Sequence, residues 1–217
     1  MLGDRIRLPW NSIGLVLVLL GLILFFSAFS DYFFSSVTFR TLLNQIPALT
    51  VIAVGMTYVL LISGIDLSVG SVMALSAAVA GVLLTQFGFA LWAAVAAAML
   101  TGVICGGING YISAHWYIPS FVVTLGMLEI ARGGAYLVTG SQTQYVGDAV
   151  GMFGATIPGI GVSVSLVIAL LVVLVAQFVL VKTVFGRHMV AIGTNEEAVR
   201  LSGIDTRKWK ILVFVLA

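Results

Sequence analysis

The sequence predicts an all-α fold, a polytopic integral membrane helical bundle with about six spans and the start of another. Three observations predict it. Hydrophobic residues make up 61% of the chain and charged residues 8%, where a soluble domain carries roughly a quarter charged residues. Mean hydropathy is +1.18. Between Arg40 and Arg132 the only formal charges are Asp66 and Glu129. No water-soluble fold could bury that much apolar surface and still cover its outside.

The elements follow in order. Residues 1–11 are short and basic, with Arg5 and Arg7, and lead into the apolar run 13–29. That plan resembles a secretory signal, and Ala28-Phe29-Ser30 loosely resembles a cleavage site. The run is longer than a signal core and further spans follow, so a retained first span is predicted. Residues 31–44 read as a mixed connector. The second span is 46–63, with Pro47 in a tolerable first-turn position. It ends at Ser63-Gly64-Ile65-Asp66-Leu67-Ser68-Val69-Gly70, after which 71–85 is apolar again.

A short break at Gln86-Phe87-Gly88 precedes the fourth span, 89–112. There Ala94, Ala98, Gly102, Gly106 and Gly110 form a stripe of small side chains on one face, which lets another helix backbone approach closely. His115-Trp116-Tyr117 reads as an interfacial turn. Pro119 opens a fifth apolar segment, 119–138, interrupted by Glu129, Arg132, Gly133 and Gly134. Residues 140–162 are polar, rich in glycine and free of basic residues, and 163–181 is a uniformly apolar sixth span.

The long polar stretch 182–210 holds six of the ten basic residues. A helix of about two turns is predicted inside it, with Asn195 as N-cap, Glu196 and Glu197 in the first turn and Gly203 at its end. So short a helix is unstable alone in water, so this stretch reads either as a solvated loop or as a docking element. Residues 209–217 begin like a membrane helix and then stop, so the chain is expected to be the N-terminal part of a longer protein. After six crossings the N-terminus and 182–210 share a side. The excess of Lys and Arg there places that side in the cytoplasm and 140–162 outside.

Much is missing from the motif inventory. There is no phosphate-cradling G-x-x-x-x-G-K-[ST], no H-E-x-x-H and no Ser-His-Asp set. Cys105 is alone, and His115 and His188 are isolated, so no disulfide, metal site or cofactor is expected. The chain is expected to be no enzyme, with no catalytic residues and no nucleic-acid partner. Any ATP-driven transport would draw on hydrolysis in another polypeptide.

Asp66 reads two ways, as an N-cap for a helix starting at Leu67 or Ser68, or as a carboxylate lining a translocation path or gate with Ser68. Glu129 and Arg132, three apart, share a helix face and form either a structural pair or a pore-facing one. Asn109 reads as an interhelical hydrogen bond or a solute contact. Ser71 completes this set of candidate pathway or gate residues: Asp66, Ser68, Ser71, Asn109, Glu129 and Arg132.

Three stretches carry a resemblance. Ala53-Val54-Gly55-Met56-Thr57 with Ser63 to Ser71, Val123-Thr124-Leu125-Gly126 with Arg132-Gly133, and Phe185-Gly186-Arg187 with Ala191 to Ala198 and Leu201 to Ile204 resemble the membrane permeases of ribose-, xylose- and galactose-type ABC importers. The likeness covers essentially the whole chain, 1–217, as a single permease domain with 182–210 as its cytoplasmic coupling loop. It implies a bacterial inner-membrane, multi-pass permease with a cytoplasmic N-terminus. It also implies a second permease subunit, homo- or heterodimeric, a cytoplasmic ABC ATPase and a periplasmic or lipid-anchored sugar-binding protein. Residues 195–204 would be the coupling helix, with Gly193, Asn195, Glu196, Glu197, Ala198, Leu201, Ser202 and Gly203 engaging the ATPase. This chain has Thr194 where such permeases commonly have Gly. The alternatives are an ion- or proton-coupled secondary transporter, built on Asp66 or the Glu129–Arg132 pair, and a membrane subunit without a pathway.

Overall fold

The structure is a computed structural model that describes residues 10–155, 157 and 163–217. Arg5, Arg7 and the end of the predicted polar stretch 140–162 (156 and 158–162) lie outside those residues. The described elements are helical, as the composition predicts: α1 (Trp10–Phe29), α2 (Ser36–Leu61), α3 (Val69–Thr85), α4 (Leu91–Trp116), α5 (Ser120–Thr139), α6 (Gly151–Gly154, after the 3-10 turn Gly147–Val150), α7 (Val164–Lys182), α8 (Val184–Leu201) and α9 (Thr206–Leu216). Among them α2, α4, α5 and α7 are long and apolar enough to cross a membrane. About six spans were expected; α3, at 17 residues, reaches only roughly 25 Å, although it starts two residues before the predicted apolar run.

The chain divides into two compact units, Met1–Gln45 and Ile46–Ala217. In the first, Phe26 stacks on Phe33, and Ser35 Oγ accepts from the Thr38 N–H to start α2. That helix begins at Ser36, not at the predicted 46, so Pro47 lies well inside it. The connector predicted at 31–44 is thus mostly helix. A proline inside a helix loses one backbone bond, which membrane helices tolerate when neighbours re-satisfy the freed groups.

In the second unit α3, α4 and α5 pack on one another and α9 packs on α4. The small-residue stripe on α4 works as expected at its end. A methyl group at Gly106 would lie 2.0 Å from the Phe214 carbonyl oxygen, and one at Gly110 would lie 2.8 Å from the Ile211 Cα. Gly102, one turn earlier, has open space. The α4 helix runs on to Trp116, so His115 and Trp116 are helical, and Tyr117 ends it with φ 55°. Helix α5 runs unbroken through Gly133 and Gly134, which the sequence reading took as an interruption.

The core gathers Tyr58, Val59 and Ile62 of the α2 end with Met189, Ile192 and Val199 of α8 and Val213 and Phe214 of α9. Residues 184–194 are therefore not a solvated loop. Phe185, Met189 and Ile192 recur at helical spacing and bury one face. Gly193 is where the backbones meet, since a methyl there would lie 1.8 Å from the Leu61 carbonyl oxygen.

Candidate functional site

The loop between α2 and α3 is held by polar side chains of α4 and α5. Its Ile65 N–H donates to Ser120 Oγ (2.9 Å) and its Leu67 N–H to Thr124 Oγ1 (3.1 Å), both from the first turns of α5. Asp66 Oδ1 accepts from the Ser68 N–H (2.8 Å) and from Ser68 Oγ (2.6 Å), and Asn109 Nδ2 of α4 donates to Ser68 Oγ (3.0 Å). Asp66, Ser68, Asn109 and Thr124 are all buried. The N-cap of α3 is Ser68, two residues after the predicted Asp66, because the carboxylate closes the loop instead of the helix.

Two of the resembling stretches, around Asp66 and around Thr124, thus meet in one hydrogen-bonded clamp. Buried backbone groups freed by a turn need such partners. In the sequence Thr124 stands out only as part of a resembling stretch. Its role was not visible, because nothing in a sequence states which loop a buried threonine faces.

Removing the acceptor should be costly. Asp66→Ala is expected to destabilise the detergent-solubilised protein by about 1–3 kcal/mol, and Asp66→Asn by less, read by thermal unfolding.

Ser71 and Arg132 come together elsewhere, in a groove between α3 and α5. Its volume is about 620 Å³, and Tyr136, Thr139 and Gln144 also line it. The Arg132 guanidinium lies 3.9 Å from the Glu129 carboxylate, and both side chains are about two-thirds exposed, at 64% and 68%. Glu129 is at the middle of the 20-residue α5. The six candidate pathway residues therefore divide into Asp66, Ser68 and Asn109 in the buried clamp, and Ser71, Glu129 and Arg132 on an open face.

The predicted short helix is present as the last part of α8. Asn195 breaks the helix with φ −158° and ψ 92°, and its Oδ1 accepts from the Ala198 N–H at 3.0 Å. Gly203 ends it with φ +87°, where its N–H donates to the Arg200 carbonyl. Glu196 accepts from Thr206 Oγ1 (3.0 Å) and from Lys210 Nζ, which ties the segment to α9. Glu197 pairs with Arg200 at 2.7 Å in the open. Leu201 is 80% exposed, whereas Val199 of the same segment is buried in the core. Ala198, Ser202 and Gly203 share the exposed end with it.

Beside this segment, Arg207 donates to Tyr117 Oη (2.9 Å) and sits over its ring. That hydrogen bond, together with the guanidinium charge, holds the Tyr117 phenol below its usual range. The sign is that of a depressed folded value. The ionised pair adds nothing at neutral pH, gains as pH rises through the lowered value, and is complete above about 10. In a spectrophotometric titration, Tyr117→Phe should remove the earliest-ionising phenol.

A family described as "Branched-chain amino acid transport system / permease component" matches residues 38–217. The chain is 39% identical over 206 residues to a ribose import permease protein of Escherichia coli, covering 93% of this chain and 64% of the relative. It is 31% identical over 215 residues to a fructose import permease protein of Rhizobium meliloti, covering 95% and 59%. An L-arabinose ABC transporter permease protein of Azospirillum brasilense is 33% identical over 208 residues, covering 95% and 60%. The chain therefore spans about 60% of the length of these curated relatives. No solved structure matches it.

Proposed function

The chain belongs to the family of branched-chain amino acid transport system permease components, and from that premise we propose that it is the membrane subunit of an ATP-driven monosaccharide importer. Two such subunits, identical or different, would enclose the path. A separate cytoplasmic ABC ATPase would supply energy, and a periplasmic or lipid-anchored binding protein would deliver the sugar. The membrane would be the bacterial inner membrane, with residues 182–210 and the N-terminus in the cytoplasm and 140–162 outside. The names of the relatives support a sugar as cargo and speak against the ion-coupled alternative.

The observation that carries the pathway is the open Glu129–Arg132 pair. Each charge at a helix centre facing lipid costs about 2.5–3.5 kcal/mol, so this face of α5 is better accounted for by water or a second subunit. The coupling assignment draws on the segment after Asn195. It is a capped, exposed, two-sided element tied to α9 through Glu196 and to α2 through the Gly193 contact. Closure of an ATPase groove on it would push directly on the helix ends that hold the core.

The test is reconstitution of the full-length protein with its ATPase and binding protein, comparing uptake of D-ribose, D-fructose, L-arabinose and L-leucine. ATP-dependent accumulation of one of the sugars is expected, and Arg132→Ala should reduce it about tenfold by leaving Glu129 unpaired. Accumulation driven by an ion gradient, with no ATPase present, would sink the proposal.

A further inference from the structure

We infer that the α3/α5 groove is a binding subsite for a neutral polyhydroxylated solute, in which Tyr136 and Thr139 join Ser71 and Arg132; this rests on the permease reading above. Arg132, Tyr136 and Thr139 are four and three residues apart, and so form a polar ladder up one face of α5. The wall opposite is Gly70, Ser71, Ala74 and Ala78 of α3. Those small side chains are what leave the gap. Next to it the two helices are in firm contact, since a methyl at Gly134 would lie 3.3 Å from Leu75 Cδ1. The opening is therefore built into a packed helix pair, and its volume of about 620 Å³ falls in the range of small-ligand pockets.

The chemistry of the lining selects the class of solute. Ser71 and Tyr136 put hydroxyls into the groove lining, and Tyr136 is 61% exposed, so its hydroxyl is open to a solute. Thr139 Oγ1 donates to the Ala135 carbonyl (2.9 Å) and keeps lone pairs free to accept. Tyr136 offers an apolar ring beside its polar tip, which suits a sugar with a CH face and a rim of hydroxyls. Arg132 has Glu129 beside it, so the ladder carries no net charge to hold an ion. Gln144 closes the far end, where Thr85 Oγ1 donates to its Oε1 at 2.7 Å. A few neutral hydrogen bonds give a site weak enough to leave as well as enter.

The test uses single cysteines in the full-length chain, reconstituted with its ATPase and binding protein. Cys105, buried and the one cysteine among these 217 residues, is replaced by alanine, as is any cysteine elsewhere in the full-length protein. Tyr136→Cys and Thr139→Cys are expected to react with a membrane-impermeant thiol reagent. Whichever of D-ribose, D-fructose and L-arabinose the parent takes up should slow that reaction about tenfold at ten times its half-saturating concentration. Leu137→Cys, 83% exposed and off the ladder, should react at the same rate with or without sugar. Cysteines at 136 and 139 that do not react, or react without protection, while the parent still imports sugar on ATP, would overturn the subsite and leave the permease reading standing. A parent with no ATP-driven uptake would overturn both. Should a cysteine variant fail to insert, Tyr136→Leu is compared with Tyr136→Phe. A half-saturation concentration raised about tenfold by leucine, which removes both ring and hydroxyl, and by less with phenylalanine, which removes the hydroxyl alone, is expected; parental values for both would overturn the subsite.

Discussion

Gly106→Ala is expected to disrupt the folded protein, whereas Gly102→Ala, one turn earlier on the same helix, is expected to leave it intact. The two changes are chemically identical. Alanine is the better helix former by roughly 1 kcal/mol, so propensity alone predicts that both variants gain stability. Packing predicts otherwise. The new methyl at 106 would sit 2.0 Å from the Phe214 carbonyl oxygen, a backbone atom that cannot swing aside, while the one at 102 meets nothing within 4 Å. Helices α4 and α9 must then separate, and α9 carries Val213 and Phe214 of the core with it. A loss of about 3 kcal/mol is expected for Gly106→Ala, at the upper end of what overpacking a core costs. Thermal unfolding and monodispersity in detergent read both variants. Equal melting temperatures would show that α4 and α9 do not meet as described.

Leu201→Asp should uncouple transport while leaving the membrane protein folded. Leu201 makes almost no contact within the chain, so its replacement costs little in stability. If the segment after Asn195 seats in an ATPase groove, this side chain is its apolar anchor, and a buried charge there weakens docking. A drop of at least about tenfold in permease-stimulated ATP hydrolysis is expected, with normal insertion and an unchanged melting temperature. Glu197→Lys should act in the same direction, since Glu197 is exposed beside Leu201 and its pairing with Arg200 is a surface one. Full stimulation after both changes would place the coupling contact elsewhere.

Local chemistry made several features legible in the chain alone. Asn195 and Gly203 bound a short helix because a capping amide and a left-handed glycine act on their immediate neighbours. The α4 stripe announced close helix packing because spacing on one helix is a local property. Boundaries were less legible. Helices run on past the ends of the apolar stretches, as at the start of α2 and the end of α4, and hydropathy does not mark where hydrogen bonding begins.

The sequence by itself determined that this is a helical membrane protein with its charge gathered at one polar end, since transferring so apolar a chain to water is prohibitive whatever its tertiary arrangement. Only the tertiary structure decided which candidate residues share a place. Asp66, Ser68, Asn109 and Thr124 close one buried clamp, while Ser71, Arg132, Tyr136 and Thr139 open onto one groove. Tyr136 and Thr139 gain a shared place only because α3 turns a wall of small side chains towards them. Residues 184–194 looked like loop until the α2 end supplied a core for Met189 and Ile192. Such assignments depend on contacts between segments far apart in the chain, and no periodicity within a segment encodes its partner's face.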